Sequence, residues 1–451
     1  MEENTSIPNT KVQNIGESKD RLSRLPEDVI EHVLSFLPTK HAVGTSILSR
    51  GWRYHWTSVS VLDFDDNLCA NQENDAREKF MNFVDRVLLF HGSKMDKFYL
   101  TCTAFHDASR VNAWISTAIR RKVNEIVIDI VLQDPLTLPR SIFTCESLTI
   151  LKIGRDYILN TGVSWPYDDI KLPTLITLAS LKVMHLREMM FTCDQSIQQV
   201  TFNLPVLQEF VMEECSWLNI NTIEVFAPLL EKLDVNDPYY VLCGFEMTIC
   251  AERVISLVLK NSPSCLYSLN NLPSIINANI VLRGQDKRHR AIALFRKIAT
   301  VKDLTVSLGV IESARLAGNL PDFPNVTNLS LSVLSGVSRE QVISVLRHMP
   351  CIESLVLTGM VYGLSMEEYD MTPSTLPKCF ISSLKSFKLS CFEGSANELS
   401  IVHFFLKHAR VLKKVTLSTH PDLPLDSQKQ FEICKQLLML PRASECAIDL
   451  S

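Results

Sequence analysis

No run in this chain is apolar over the ~20 residues needed to cross a bilayer. The opening stretch MEENTSIPNTKVQNIGESKD lacks the apolar segment of an export signal or anchor, so 1–19 reads as a disordered tail and the compartment as intracellular, nucleus or cytoplasm. The 13 cysteines include no C-x-x-C pair. Without an export signal, scattered cysteines are expected to be buried free thiols in a reducing compartment. His403 and His408 have an allowed ligand spacing, but no close cysteine pair accompanies them, so no metal is expected. Basic charge is not in excess: 45 Lys and Arg stand against 50 Asp and Glu, for a net charge of −5. That balance gives no electrostatic case for nucleic acid or an anionic membrane as partner. Missing too are a G-x-S-x-G elbow, a Walker A loop and an H-E-x-x-H helix. The chain is therefore expected to be non-catalytic and to need no cofactor.

Much is present. At 451 residues, with 46 % apolar and 21 % charged residues, the chain can fill a large core and is long enough for two or more units. Its densest signal lies in 20–66. Pro26 suits the first turn of a helix, and Glu27 and Asp28 sit where the helix dipole favours negative charge. Val29, Ile30, Val33, Leu34 and Leu37 recur at helical spacing, and Pro38 stops that helix. Thr39 is placed to cap a second helix carrying Ala42, Val43, Ile47 and Leu48. A third runs from Ser49 to Trp56, with Trp52 and Trp56 on one face. So small a unit holds more large apolar residues than it can bury, which marks a docking surface. Basic clusters at Arg120-Arg121-Lys122 and Lys287-Arg288-His289-Arg290 read as solvated loops.

Beyond a linker at 67–94, a unit of apolar, two others, apolar, one other, apolar recurs over 95–377 and past it. Examples are Met95-x-x-Phe98-x-Leu100, Val123-x-x-Ile126-x-Ile128, Leu230-x-x-Leu233-x-Val235 and Leu412-x-x-Val415-x-Leu417. Counting Ala278, Ile280 and Leu282, about thirteen units follow at a mean step of roughly 26 residues. The alternating last positions suit a short strand with one buried face, and Pro205, Pro228, Pro324 and Pro350 suit the loops before such strands. The expectation is a solenoid in which each unit gives one strand to a parallel sheet and returns by a loop or a helix. Function would then lie on the residues between the apolar positions, such as Thr149, Lys152, His185, Gln208, Val211, Asp234 and Thr305.

In 378–451 the pattern changes. Strands ending near Cys391 and spanning Val411 to Leu417 flank a helix from Glu398 to Ala409. A last helix over Gln428 to Leu440 carries Phe431, Cys434, Leu437 and Leu438, and Ala447 to Leu450 gives a final strand.

Residues Asp20, Arg21, Ser23, Leu25, Pro26, Ser35 to Lys40, Ala42, Val43, Thr45, Ser46, Leu48, Ser49, Trp52, Arg53 and Trp56 resemble an F-box of the plant type. Gly51 departs from that pattern, which usually has Arg or Lys there; it weakens the helix by about 1 kcal/mol. Ser383-Leu384-Lys385, Gly394, Glu398-Leu399, Phe405-Leu406, Ala409 to Leu412 and Leu440 to Ser444 resemble the FBD domain. The whole resembles plant F-box/leucine-rich-repeat/FBD proteins. That resemblance implies an α/β chain: an N-terminal three-helix F-box, a degenerate leucine-rich-repeat solenoid and a C-terminal α/β FBD domain. It also implies a substrate-recognition adaptor of an SCF-type (cullin) E3 ubiquitin ligase, binding a Skp-family adaptor and through it a cullin. The repeats and FBD would bind a target protein. Leu25, Pro26, Ile30, Leu34, Leu37, Trp52 and Trp56 are the expected adaptor contacts. The alternative is a ligand-dependent receptor whose solenoid encloses a small molecule.

Overall fold

The computed structural model describes residues 25–69, 76–132, 138–154, 169–193, 198–238, 245–260, 266–269, 272–282, 294–316, 318, 320–333, 339–359, 376–419 and 427–450. The tail, the motif residues 20–24 and the basic cluster at 287–290 lie outside them.

Every one of the thirteen apolar units folds as a strand. Within Lys232–Asn236, for instance, Leu233 and Val235 are buried while Lys232, Asp234 and Asn236 face outward. These strands lie in one fifteen-stranded sheet, all parallel and in chain order. The two additional members are Val61–Asp65 at the start and Ala447–Leu450 at the end. Val61–Asp65 follows the same apolar spacing through Val59, Leu62 and Phe64, but the pattern is masked in the sequence by the helical module it overlaps.

One backbone device holds the strands in step. The Ser60 carbonyl accepts the N–H groups of both Asp96 (2.7 Å) and Lys97 (3.1 Å). The Asp96 carbonyl does the same for Asn124 and Glu125, and so on to Lys385, which takes Lys413 and Lys414. Parallel edges thereby keep their amides satisfied outside the ladders proper.

The prolines mark where each return ends. Leu207 N–H bonds Leu204 C=O, Leu230 bonds Ala227, and Val326 bonds Phe323, with Pro205, Pro228 and Pro324 at the second turn position, whose φ proline presets.

The return path differs from expectation in the middle of the chain. There it consists of further strands. Leu175–Thr177, Gln199–Asn203, Thr222–Phe226, Glu246–Cys250 and Leu266–Leu269 form a five-stranded sheet. Asp169–Lys171, Met190–Thr192 and Ser216–Leu218 form a three-stranded one. Buried Val200 and Phe202, Ile223 and Val225, and Met247 and Ile249 alternate with half-buried or exposed neighbours, a period-2 signal that favours strand. Nearer the ends the returns are helices, among them Ala108–Arg120, Leu308–Leu316, Arg339–Leu346 and Ala396–His408. The continuous core lies between the long sheet and these returns.

The stretch 67–94, expected as a linker, carries the helix Ala76–Phe90, which buries Phe80, Met81, Val84, Val87 and Leu88 in that core. At the other end, Ser386–Ser390 and Lys414–Ser418 continue the sheet in unbroken register. Helix Ser427–Met439 forms, but it buries Ile433 and Leu437; Phe431, Cys434 and Leu438, expected on its inner stripe, are exposed.

Candidate functional site

The helical module is built from Glu27–Leu34, Thr39–Gly44 with a 3₁₀ extension Thr45–Ile47, and Gly51–Ser58. The third element is 3₁₀ along its whole length, not an α-helix. Pro26 is the N-cap of the first helix and lies just outside it. Thr39 is the first residue of the second helix, after the cap Pro38, and its hydroxyl is used elsewhere: Asp63 N–H donates to Thr39 Oγ1 at 2.7 Å. A residue read as a local cap thus ties the module to the first strand of the sheet.

A second tie is His91. The Arg121 guanidinium, which can only donate, lies 2.7 Å from His91 Nδ1, so that nitrogen accepts. His91 Nε2–H then donates to Val59 C=O at 2.8 Å, and Arg121 also donates to Leu88 C=O at 2.8 Å. Burial, with Arg121 adding to it against the bond to Val59, holds the imidazole below its ordinary pKa, and it is neutral. The cluster Arg120-Arg121-Lys122, expected as a solvated loop, closes helix Ala108–Arg120, and its Arg121 builds this joint.

Three elements this short leave two apolar populations. Ile30, Leu34, Ala42, Trp52 and Val59 make a small core of their own, with Leu25, Leu37 and Trp56 half-buried against it. Of the expected contacts, Ile30, Leu34 and Trp52 are therefore interior, Leu25, Leu37 and Trp56 are at its edge, and Pro26 alone is exposed. The free apolar surface is made by other residues: Val29, Val33, Phe36 (74 % exposed), Ile47 (88 %), Leu48 and Tyr54. Val29 and Val33 fall at i and i+4 and so share one side of the first helix, and Phe36 follows in the turn after it. The sequence carried this signal in the width of its stripe: adjacent residues at 29/30 and 33/34 cannot all point inward.

A different surface lies on the outward side of the long sheet. A cavity of about 310 Å³ is lined there by residues including Val127, Asp129, Lys152, Gly154, His185, Arg187, Val211, Glu213, Lys232 and Asp234. Four of the residues singled out between the apolar positions, Lys152, His185, Val211 and Asp234, meet at it. Thr149 and Gln208 lie just before their strands, and Thr305 lies farther along the sheet. Gly154 is part of the lining, and a Cβ there would stand 3.3 Å from the Cβ of Arg187. Around it, Lys232 pairs with Glu209 at 2.7 Å and Arg187 with Glu213 at 3.3 Å. His185 Nε2 is 3.2 Å from Glu209 Oε1, poorly aligned for a hydrogen bond, and burial followed by the Lys152 charge keeps its pKa low. Burial raises the Asp234 carboxyl.

Among the described residues no group of three or more His, Cys, Asp or Glu is arranged to hold a metal ion, and no helix is long and apolar enough to cross a membrane.

Comparison with known proteins matches residues 22–64 to the F-box domain and residues 372–417 to FBD. The chain is 26 % identical over 439 residues to an F-box/FBD/LRR-repeat protein of Arabidopsis thaliana, covering 94 % of this chain and 97 % of that one. It is 28 % identical to an F-box/LRR-repeat protein of the same plant, over 76 % of this chain and 93 % of the other. An FBD-associated F-box protein, also from Arabidopsis thaliana, is 26 % identical over 96 % of this chain and its own whole length.

Proposed function

The chain belongs to the plant F-box/leucine-rich-repeat/FBD proteins, and from that membership we propose that it is the non-catalytic target-recognition subunit of an SCF-type (cullin) ubiquitin ligase. An F-box implies a Skp-family adaptor as direct partner, and through it a cullin. The parallel, chain-ordered sheet supports reading 95–377 as a degenerate leucine-rich-repeat solenoid that presents the target. The site of action is intracellular, in nucleus or cytoplasm.

The observation that carries this reading is the exposed apolar surface of Val29, Val33, Phe36, Ile47, Leu48 and Tyr54 on a module that already has a core. Large side chains left uncovered beside a filled core serve a partner better than they serve folding. The adaptor contact is accordingly assigned to these residues, with Pro26 and the edge residues Leu25, Leu37 and Trp56 flanking it. Ile30, Leu34 and Trp52 support it from beneath.

The test is copurification of the chain with a recombinant Skp-family adaptor. Parent protein should retain the adaptor, while Ile47→Asp with Phe36→Asp should lose it at unchanged thermal stability. Equal retention by both overturns the reading. A small-molecule receptor is the less favoured alternative, because the cavity on the sheet is rimmed by charge, whereas pockets for such ligands are mostly apolar.

A further inference from the structure

The outward face of the sheet has a row of side chains whose register is fixed by the ladders. Val127 pairs with Lys152, Lys152 with His185, His185 with Val211, Val211 with Asp234, and Asp234 with Val258. Read across the strands, the row runs apolar, cationic, imidazole, apolar, anionic, apolar. Its two charges are set apart from the ion pairs nearby. Lys152 stands between Val127 and His185 and makes no ion pair among the described residues, although Asp129 lines the same cavity. Asp234 stands between two valines and makes no ion pair among the described residues; Lys260, one row away, and Lys232, itself bonded to Glu209, act on it only through space. Both side chains are half-buried and line the same cavity.

Half-buried charges without a contacting counter-ion cost desolvation and recover it most fully from a partner. The spacing says what partner. Lys152 and Asp234 are separated by three strand spacings, about 14 Å. An extended peptide rises about 3.3 Å per residue and turns every second side chain to the same side. Residues i and i+4 of such a peptide therefore reach both charges at once, with i+2 over His185 and Val211.

We infer that this row is a target-docking groove for an extended segment laid across the strands, carrying one acidic and one basic side chain four residues apart with a small or apolar residue midway. The acidic side chain pairs with Lys152 and the basic one with Asp234. The inference rests on the target-recognition reading above and names the chemistry of the target.

The experiment uses the full chain copurified with a Skp-family adaptor and immobilised peptides on a Ser/Thr/Val background. These carry one Glu and one Arg two to six positions apart, in both orders, or two residues of like charge. Spacing four should be retained about fivefold better than spacing three, which places the charges on opposite sides. Lys152→Glu should shift preference to peptides with two Arg, and Asp234→Lys to peptides with two Glu. The neutral pair Lys152→Gln with Asp234→Asn, which leaves the fold undisturbed at these outward positions, should abolish the spacing preference. A parent protein indifferent to spacing, or single reversals that do not switch the preferred charge, overturns the groove. Adaptor copurification is scored separately: its loss in the parent overturns the ligase reading, whatever the peptides do.

Discussion

Val33 and Leu34 are neighbours in sequence with opposite surroundings: Leu34 is 1 % exposed inside the module, Val33 46 % exposed on its outer side. Their substitutions should separate folding from binding. Leu34→Ala removes buried methyls from a small core and should cost about 3 kcal/mol of stability, read as a lowered midpoint in urea. Val33→Asp should leave that midpoint within about 0.5 kcal/mol and weaken adaptor binding instead, measured by titration calorimetry. His91 makes a prediction of a different kind. Its folded pKa lies below the unfolded value because it is buried and faces Arg121. Its contribution is therefore fully present above about pH 6.5 and is lost as the pH falls toward the folded pKa. Protonating Nδ1 would set a cation against the guanidinium that now donates to it. Unfolding free energy should decline as the pH falls below about 6.5, and His91→Gln should flatten that decline while lowering stability at neutral pH. An unchanged slope in the variant would remove His91 from the account.

At the scale of elements, helix Ala396–His408 shows how a buried charge is made tolerable. Ser395 Oγ accepts from Glu398 N–H, and the Glu398 carboxylate accepts from the N–H of Ser395 (2.8 Å) and of Glu393 (3.2 Å) and from Ser395 Oγ (2.9 Å). Glu398→Ala orphans buried amides and should cost about 1–3 kcal/mol, visible as a lower melting temperature. The bend after strand Ser354–Thr358 makes a harder demand. Gly359 has φ +110°, and a Cβ there would sit 2.1 Å from the Val333 carbonyl oxygen. Gly359→Ala should destabilise by about 2 kcal/mol or more, again by melting. These cases also show what a sequence can and cannot disclose. The long-sheet strands were legible because Leu233 and Val235 obey a two-residue period with Leu230 marking the approach. The return strands were not, since segments such as Leu175–Thr177 are too short for their period to stand out. Tertiary demand chose 3₁₀ geometry for Gly51–Ser58 and turned Phe431 outward. The module's excess of apolar residues was readable in the sequence. Which of them stay exposed was not, because Ile30 and Val29 have the same chemistry and differ only in what packs against them.

At the scale of the molecule, the carbonyl chain from Ser60 to Lys413 joins regions that motif boundaries would separate. The FBD match at 372–417 contains two strands of the same sheet, and the F-box match at 22–64 reaches into its first. In a stack where each unit rests on its neighbours, the terminal units protect those behind them. Phe380, Phe387 and Phe405 stack in one cluster, with ring centroids of Phe387 and Phe405 4.1 Å apart and those of Phe380 and Phe405 5.2 Å apart. That cluster covers the unit ending at Leu357. A chain ending at 371 loses all three rings and bares the edge of Ser354–Thr358, so it should aggregate or elute as large species in size-exclusion chromatography. A chain ending at 419 keeps the rings and sacrifices helix Ser427–Met439, whose inward residues are Ile433 and Leu437. It should remain monomeric with a lower melting temperature. If the chain ending at 371 instead proved monomeric and melted like the parent, the FBD region would have to be an appended module, and the shared sheet would not be what stabilises the strands before it.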